Sequence, residues 1–171
     1  MIKRSLLLIL PAEDFNEDEY LTVKRILEIS GFKLFVASDA NSLCIGKKGL
    51  KVKADVSFFN MNENNFAGII FIGGSGVKKY WDKKNLHIIA NKFFDKKKLV
   101  AAICSAPVIL AKAGLIEGKD ATCYPEDRRE LEKCGVNYKY ESVVIQKNII
   151  TAQDSASSLD FANAIVNFKL K

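Results

Sequence analysis

The chain has 171 residues, of which 49% are hydrophobic and 27% charged, and it carries a formal net charge of +6. That length and apolar fraction fit one domain with a sizeable core, spanning residues 1–171, and exclude a disordered or fibrous chain. No stretch approaches the roughly 18 to 20 consecutive apolar residues of a membrane span, and the lysines fall in short clusters broken by acids, a pattern of solvated surface rather than of a nucleic-acid or membrane partner.

In chain order, Ser5 to Leu10 is a short apolar run that reads as a first strand. It is too short, and too soon followed by acids from Glu13 onward, for a signal peptide behind Lys3-Arg4. A helix is expected to start near Asp18 and to end at Gly31, with Glu19, Val23, Ile26 and Leu27 on one face. Glu19 thus extends an apolar stripe, where a carboxyl costs free energy unless it is protonated or bonded. It reads equally well as a helix-start carboxylate favoured by the dipole, as Glu17 and Asp18 do. A strand over Lys33 to Ala37 follows, then a small hairpin between Leu43 and Asp55 turning around Gly46-Lys47-Lys48-Gly49.

The strand Gly68 to Ile72 runs into Gly73-Gly74-Ser75-Gly76. These glycines lack the spacing of a phosphate-binding loop. They suit either an ordinary tight turn or a close backbone approach that lets amides face a substrate oxygen. The single histidine, His87, lies in a helical pattern with Leu86, Ile89, Ala90 and Phe93, beside the apolar face, and reads as a surface residue.

Leu99 to Ile103 is an apolar strand that meets Cys104 and then at once a helical pattern beginning Ser105-Ala106-Pro107. A strand that turns sharply into a helix lifts one side chain toward the crevice at the carboxyl ends of the strands. The free amides at such a turn favour a thiolate. A buried free cysteine is otherwise simply a small hydrophobe. A strand over Ala121 to Tyr124, a hairpin turning at Lys147-Asn148 between Val143 to Gln146 and Ile149 to Ala152, and a last helix with a capping-box pattern at Ser157 and Asp160 complete the chain. Gly114 and Gly135 stand where left-handed residues end helices, and Phe161, Ile165 and Phe168 repeat at core spacing. Alternating strands and helices give a single-domain, doubly wound, mostly parallel α/β fold with small hairpins. The four cysteines, Cys44, Cys104, Cys123 and Cys134, lack paired metal-ligand spacing, so no metal or cofactor is expected, and without an export signal they read as reduced thiols in a cytoplasmic protein.

Ala101-Ala102-Ile103-Cys104-Ser105-Ala106-Pro107, with Leu115 to Lys119, Ala121 to Pro125, Ile69 to Gly74 and a glutamate twelve positions before Gly31, resembles the PfpI/ThiJ superfamily, which includes the DJ-one-like deglycases and the intracellular-protease-like proteins. The resemblance runs from Leu6 to about Phe168 and implies a fold of flavodoxin-like, class I glutamine-amidotransferase-like type. It implies Cys104 and Glu19 as the catalytic pair, Gly73, Gly74 and Ser105 as the oxyanion or substrate-binding residues, and a homodimer. It implies action on small reactive carbonyls of the glyoxalase or deglycase type, with a redox or stress-response role through an oxidisable Cys104 as the alternative. Where one branch of the family has a histidine after the cysteine this chain has Ser105, and where another has a histidine before the proline it has Tyr124, left as an auxiliary hydroxyl. Both replacements argue against a peptidase.

Overall fold

The computed structural model describes residues 4–39 and 43–169. Its centre is a seven-stranded sheet. Strand β1 (Ser5–Ile9) lies in the middle of it, between β3 (Lys33–Ser38) and β7 (Gly68–Phe71), both parallel to it. Beyond β3 comes β6 (Val56–Ser57), and beyond β7 come β8 (Leu99–Ile103) and β12 (Ile149–Ala152), all parallel. Only the edge strand β11 (Val143–Gln146) is antiparallel, paired with β12 through the expected hairpin, in which Lys147 takes a positive φ.

The strands are apolar throughout because both faces are covered. Leu7, Ile69, Phe71, Val100 and Ala102 point into one core with α2 (Lys84–Asp95), α3 (Pro107–Lys112) and α4 (Arg128–Lys133). Leu6, Leu8, Ile70, Ile72, Ala101 and Ile103 point into the other with α1 (Glu17–Ile29) and α5 (Ser158–Asn167). This period-two division between two cores is what the continuous apolar runs encode. The doubly wound, mostly parallel fold expected from the sequence is therefore observed. Because α1 sits against one face and α2 against the other, the chain reverses its direction of winding between β1 and β7, and the carboxyl ends of these strands form the crevice of the sheet.

Several local expectations are corrected. Ala121 to Tyr124 does not join the central sheet: β9 is only Asp120–Ala121 and pairs with β10 (Asn137–Tyr138) in a separate two-stranded ribbon. The hairpin of β4 (Leu43–Gly46) and β5 (Lys51–Lys53) forms as expected but adds β2 (Glu13–Phe15) to make a three-stranded sheet. The last helix is entered through Asp154, which accepts hydrogen bonds from the Ser157 amide and hydroxyl, rather than through a capping box at Ser157. Gly31, Gly114 and Gly135 take positive φ where helices end.

Candidate active site at the carboxyl edge of the sheet

Cys104 follows β8 directly and has φ +64°, a left-handed conformation that a non-glycine residue adopts only when its surroundings impose it. Those surroundings are hydrogen bonds on both sides of the residue. The Cys104 amide donates to the Ala152 carbonyl at 3.0 Å, and its own carbonyl accepts from the Tyr124 amide at 2.8 Å. The next peptide is fixed as well: Trp81 Nε1 donates to the Ser105 carbonyl at 2.8 Å, and Ser105 Oγ donates to Asp127 Oδ2 at 2.6 Å. The strand-to-helix turn read from the sequence is thus a strained elbow, with the thiol 8% exposed at its tip.

Glu19 comes to the elbow from the opposite side, on the first turn of α1, whose start is set by Asn16 accepting from the Glu19 amide. The carboxyl is fully buried. Oε2 accepts from the Gly73 amide at 2.9 Å, whereas Oε1 is enclosed without a hydrogen bond of standard geometry. Burial is the main influence on this group and pushes its pKa up to about 7, against weaker lowering by the Cys104 thiol and the Gly73 amide. Of the two sequence readings of Glu19, the core-facing one is observed. Glu17, read as a helix-start acid, lies in the first turn of α1 and also accepts from the amides of Lys48 and Leu50, fastening the β4–β5 hairpin to α1.

The diglycine is explained by contact. A Cβ on Gly73 would stand 2.5 Å from Cys104 Cβ and 2.6 Å from Glu19 Oε2, and Gly74 has φ +120° with the Asp14 carbonyl 2.3 Å from where its Cβ would be. The Gly73 amide is committed to Glu19, so it does not serve an oxyanion as the sequence suggested. The amides of Gly74 and Ser105 are those that act on the sulfur, lowering the thiol's pKa, but burial and the Glu19 carboxylate outweigh them and push it up. The turn amides that were expected to favour a thiolate are thus outweighed here by burial and by the neighbouring carboxylate. The short α3, six residues long, offers little dipole to change this.

The thiol opens into a cleft of about 620 Å³ lined by Gly74, Ser105, Tyr124, Lys78 and acids of α1, among others. Tyr124 borders this cleft, so its hydroxyl-bearing side chain is placed with Cys104, Glu19, Gly74 and Ser105. His87 is not: its Nε2 lies 2.7 Å from the backbone carbonyl of Trp81. The sequence reading missed Trp81, Asp127 and Lys78. Lys78 Nζ bonds Asp127 Oδ1 at 2.5 Å, and Asp127 is 3% exposed. Asp127 could have drawn notice as an acid just before a helix, but its link to Ser105 has no local signature. Among the described residues no group of three or more His, Cys, Asp or Glu is placed to hold a metal ion, and no helix is long and apolar enough to cross a membrane.

Comparison with known proteins identifies the family. Residues 4–168 match the model of the DJ-1/PfpI family. Protein MJ0967 of Methanocaldococcus jannaschii is 35% identical over 90% of this chain and 76% of its own length. Deglycase PH1704 of Pyrococcus horikoshii is 30% identical over 85% of this chain and 88% of its own. The crystal structure of a ThiJ/PfpI domain protein from Brachyspira murdochii superposes with a TM-score of 0.94 at 33% identity, covering 97% of this chain and 96% of that one. The elbow, the buried glutamate and the fold around them, together with the match along nearly its whole length, place this chain in the DJ-1/PfpI family.

Proposed function

We propose that the protein acts on small reactive carbonyls through Cys104 with Glu19 as its proton carrier. The observation that carries this reading is a buried carboxyl, with a pKa pushed up to about 7, set against a thiol on a strained elbow at the mouth of a cleft. A group that titrates near neutrality can both take and return a proton at working pH. In the first step the Cys104 sulfur adds to the aldehyde carbon of a dicarbonyl. The thiol proton passes to Glu19 and the carbonyl π pair moves to oxygen. The amides of Gly74 and Ser105 receive the developing charge, and Glu19 returns the proton to that oxygen, leaving a neutral hemithioacetal. Similarity to proteins named as deglycases supports the carbonyl class.

The replacement of both family histidines by Ser105 and Tyr124 sets an expectation of slow turnover, since a positioned base typically contributes roughly 10² to 10⁴ in rate. The test is consumption of methylglyoxal by the wild type, Cys104→Ala and Glu19→Gln. Cys104→Ala should abolish turnover and Glu19→Gln should lower it by roughly 10²-fold or more. Equal rates in wild type and Cys104→Ala would overturn the reading. Stoichiometric oxidation of Cys104 by peroxide with no turnover would favour a redox role for the same residue.

A further inference from the structure

On the side of Cys104 away from Glu19, Ser105 Oγ donates to Asp127 and the other Asp127 oxygen receives Lys78 Nζ. Asp127 does not border the cleft, but both of its partners do. A buried carboxylate therefore ties a cation to the residue that follows the nucleophile. The lysine side chain is 44% exposed, and Nζ lies 5.3 Å from the centre of the Trp81 ring, the same indole that holds the Ser105 carbonyl. An ammonium has three N–H donors, so one bond to Asp127 leaves two for the cleft. Asp127 also keeps this ammonium charged by raising its pKa, and Cys104 is close enough to act in the same direction. Lys78 is then a fixed positive charge and not a base.

The acids on the opposite wall are largely answered from elsewhere. Glu17 is taken up by two hairpin amides, and Asp18 Oδ2 receives Lys48 Nζ at 2.8 Å. Asp14 and Glu126 remain as acids at the cleft's margin, Asp154 there accepts from the Ser157 amide and hydroxyl, and Lys47 lines the cleft beside Lys48.

We propose that Lys78, aimed by Asp127, is a specificity-determining residue that favours electrophiles carrying a carboxylate beside the reactive carbon, the 2-oxo acid class, over neutral carbonyls. This rests on the reading of Cys104 as the nucleophile. A carbonyl carbon at the sulfur, with its oxygen toward the Gly74 and Ser105 amides, leaves an adjacent carboxylate to meet the free N–H groups of Lys78. The addition is the same balanced step as above, and the carboxylate stays intact.

The test compares alkylation of Cys104 by iodoacetate and by iodoacetamide at one pH. In both reactions the sulfur–carbon bond forms as iodide leaves, so the ratio of rates cancels the thiolate fraction and reads the preference for negative charge. Lys78→Met should lower the iodoacetate-to-iodoacetamide ratio about three- to fivefold, the size expected of a half-exposed charge pair. Lys78→Arg should restore most of the ratio. Lys79→Met, whose lysine pairs with Glu13 on the surface at 3.2 Å, should leave it unchanged. Binding of glyoxylate to Cys104 should weaken in step with the ratio while binding of methylglyoxal does not. An unchanged ratio in Lys78→Met, or an equal fall in Lys79→Met, with Cys104 still the labelled thiol, would overturn the inference alone. Failure of either reagent to label Cys104 ahead of Cys134 would overturn the assignment of the nucleophile and this inference with it.

Discussion

Two buried carboxyls flank the elbow, and the fold treats them in opposite ways. Asp127 has a cation on one oxygen and a hydroxyl on the other. Glu19 has one backbone amide, one oxygen without a standard hydrogen bond and no counter-ion among the described residues, and its pKa is pushed up to about 7. Residues of the same chemical class thus become a structural tie and a titrating group solely through what surrounds them. The first holds the strained turn in place. The second is left beside the sulfur with a pKa pushed up to about 7, as the proposed proton transfer needs.

The largest expected effect comes from breaking the satisfied side. Asp127→Ala leaves the Ser105 hydroxyl and Lys78 without their common partner and opens a small void. It should lower the free energy of unfolding by about 3 kcal/mol, toward the lower end for a broken buried pair because Lys78 still reaches solvent. Urea denaturation measures this, and Asp127→Asn, which keeps an acceptor for Ser105, should lose less.

The unsatisfied side should answer with the opposite sign. Glu19 binds its proton more tightly in the folded chain, at about 7, than at its ordinary value of 4.5, so the folded state holds more protons between those limits. Stability therefore falls as pH rises from about 4.5 through about 7 and levels off above. Glu19→Gln removes the ionisation while keeping an acceptor for the Gly73 amide. It should stabilise the fold by on the order of 2 kcal/mol at pH 8, discounted for the proton shared with Cys104, and by almost nothing near pH 4. Paired urea titrations at the two pH values check both the gain and its disappearance.

What the sequence made legible followed the range of the interactions. The parallel strands were readable because burial on both faces makes runs such as Leu6 to Ile9 apolar without interruption, and the elbow because strand, cysteine and helix are contiguous. Glu19 was readable as an acid on an apolar helix face. Lys78 and Asp127 were not. They are 49 positions apart and each sits in a charged run, Lys78-Lys79 and Glu126 to Glu130, that reads as solvated surface. Only the fold brings them together under Trp81 and Ser105. The segment after Gly118 misled for a related reason: Ala121 to Tyr124 reads as one more strand of the doubly wound series, but Tyr124 is drawn to the Cys104 carbonyl and Pro125 then begins a helical turn, so only Asp120 and Ala121 pair as strand. Gly73 stood as an oxyanion residue only through the family resemblance, and only the position of Glu19 reveals that its amide is already used.

The contrast between the two carboxyls is tested most directly by following the ionisation of Glu19 itself, through the carboxyl carbon resonance of isotope-labelled protein, with Glu19→Gln to assign the signal. The account predicts a midpoint near 7. A midpoint in the ordinary carboxylate range, around 4 to 5, would show that Glu19 is charged at neutrality and would contradict its role as the proton carrier for Cys104.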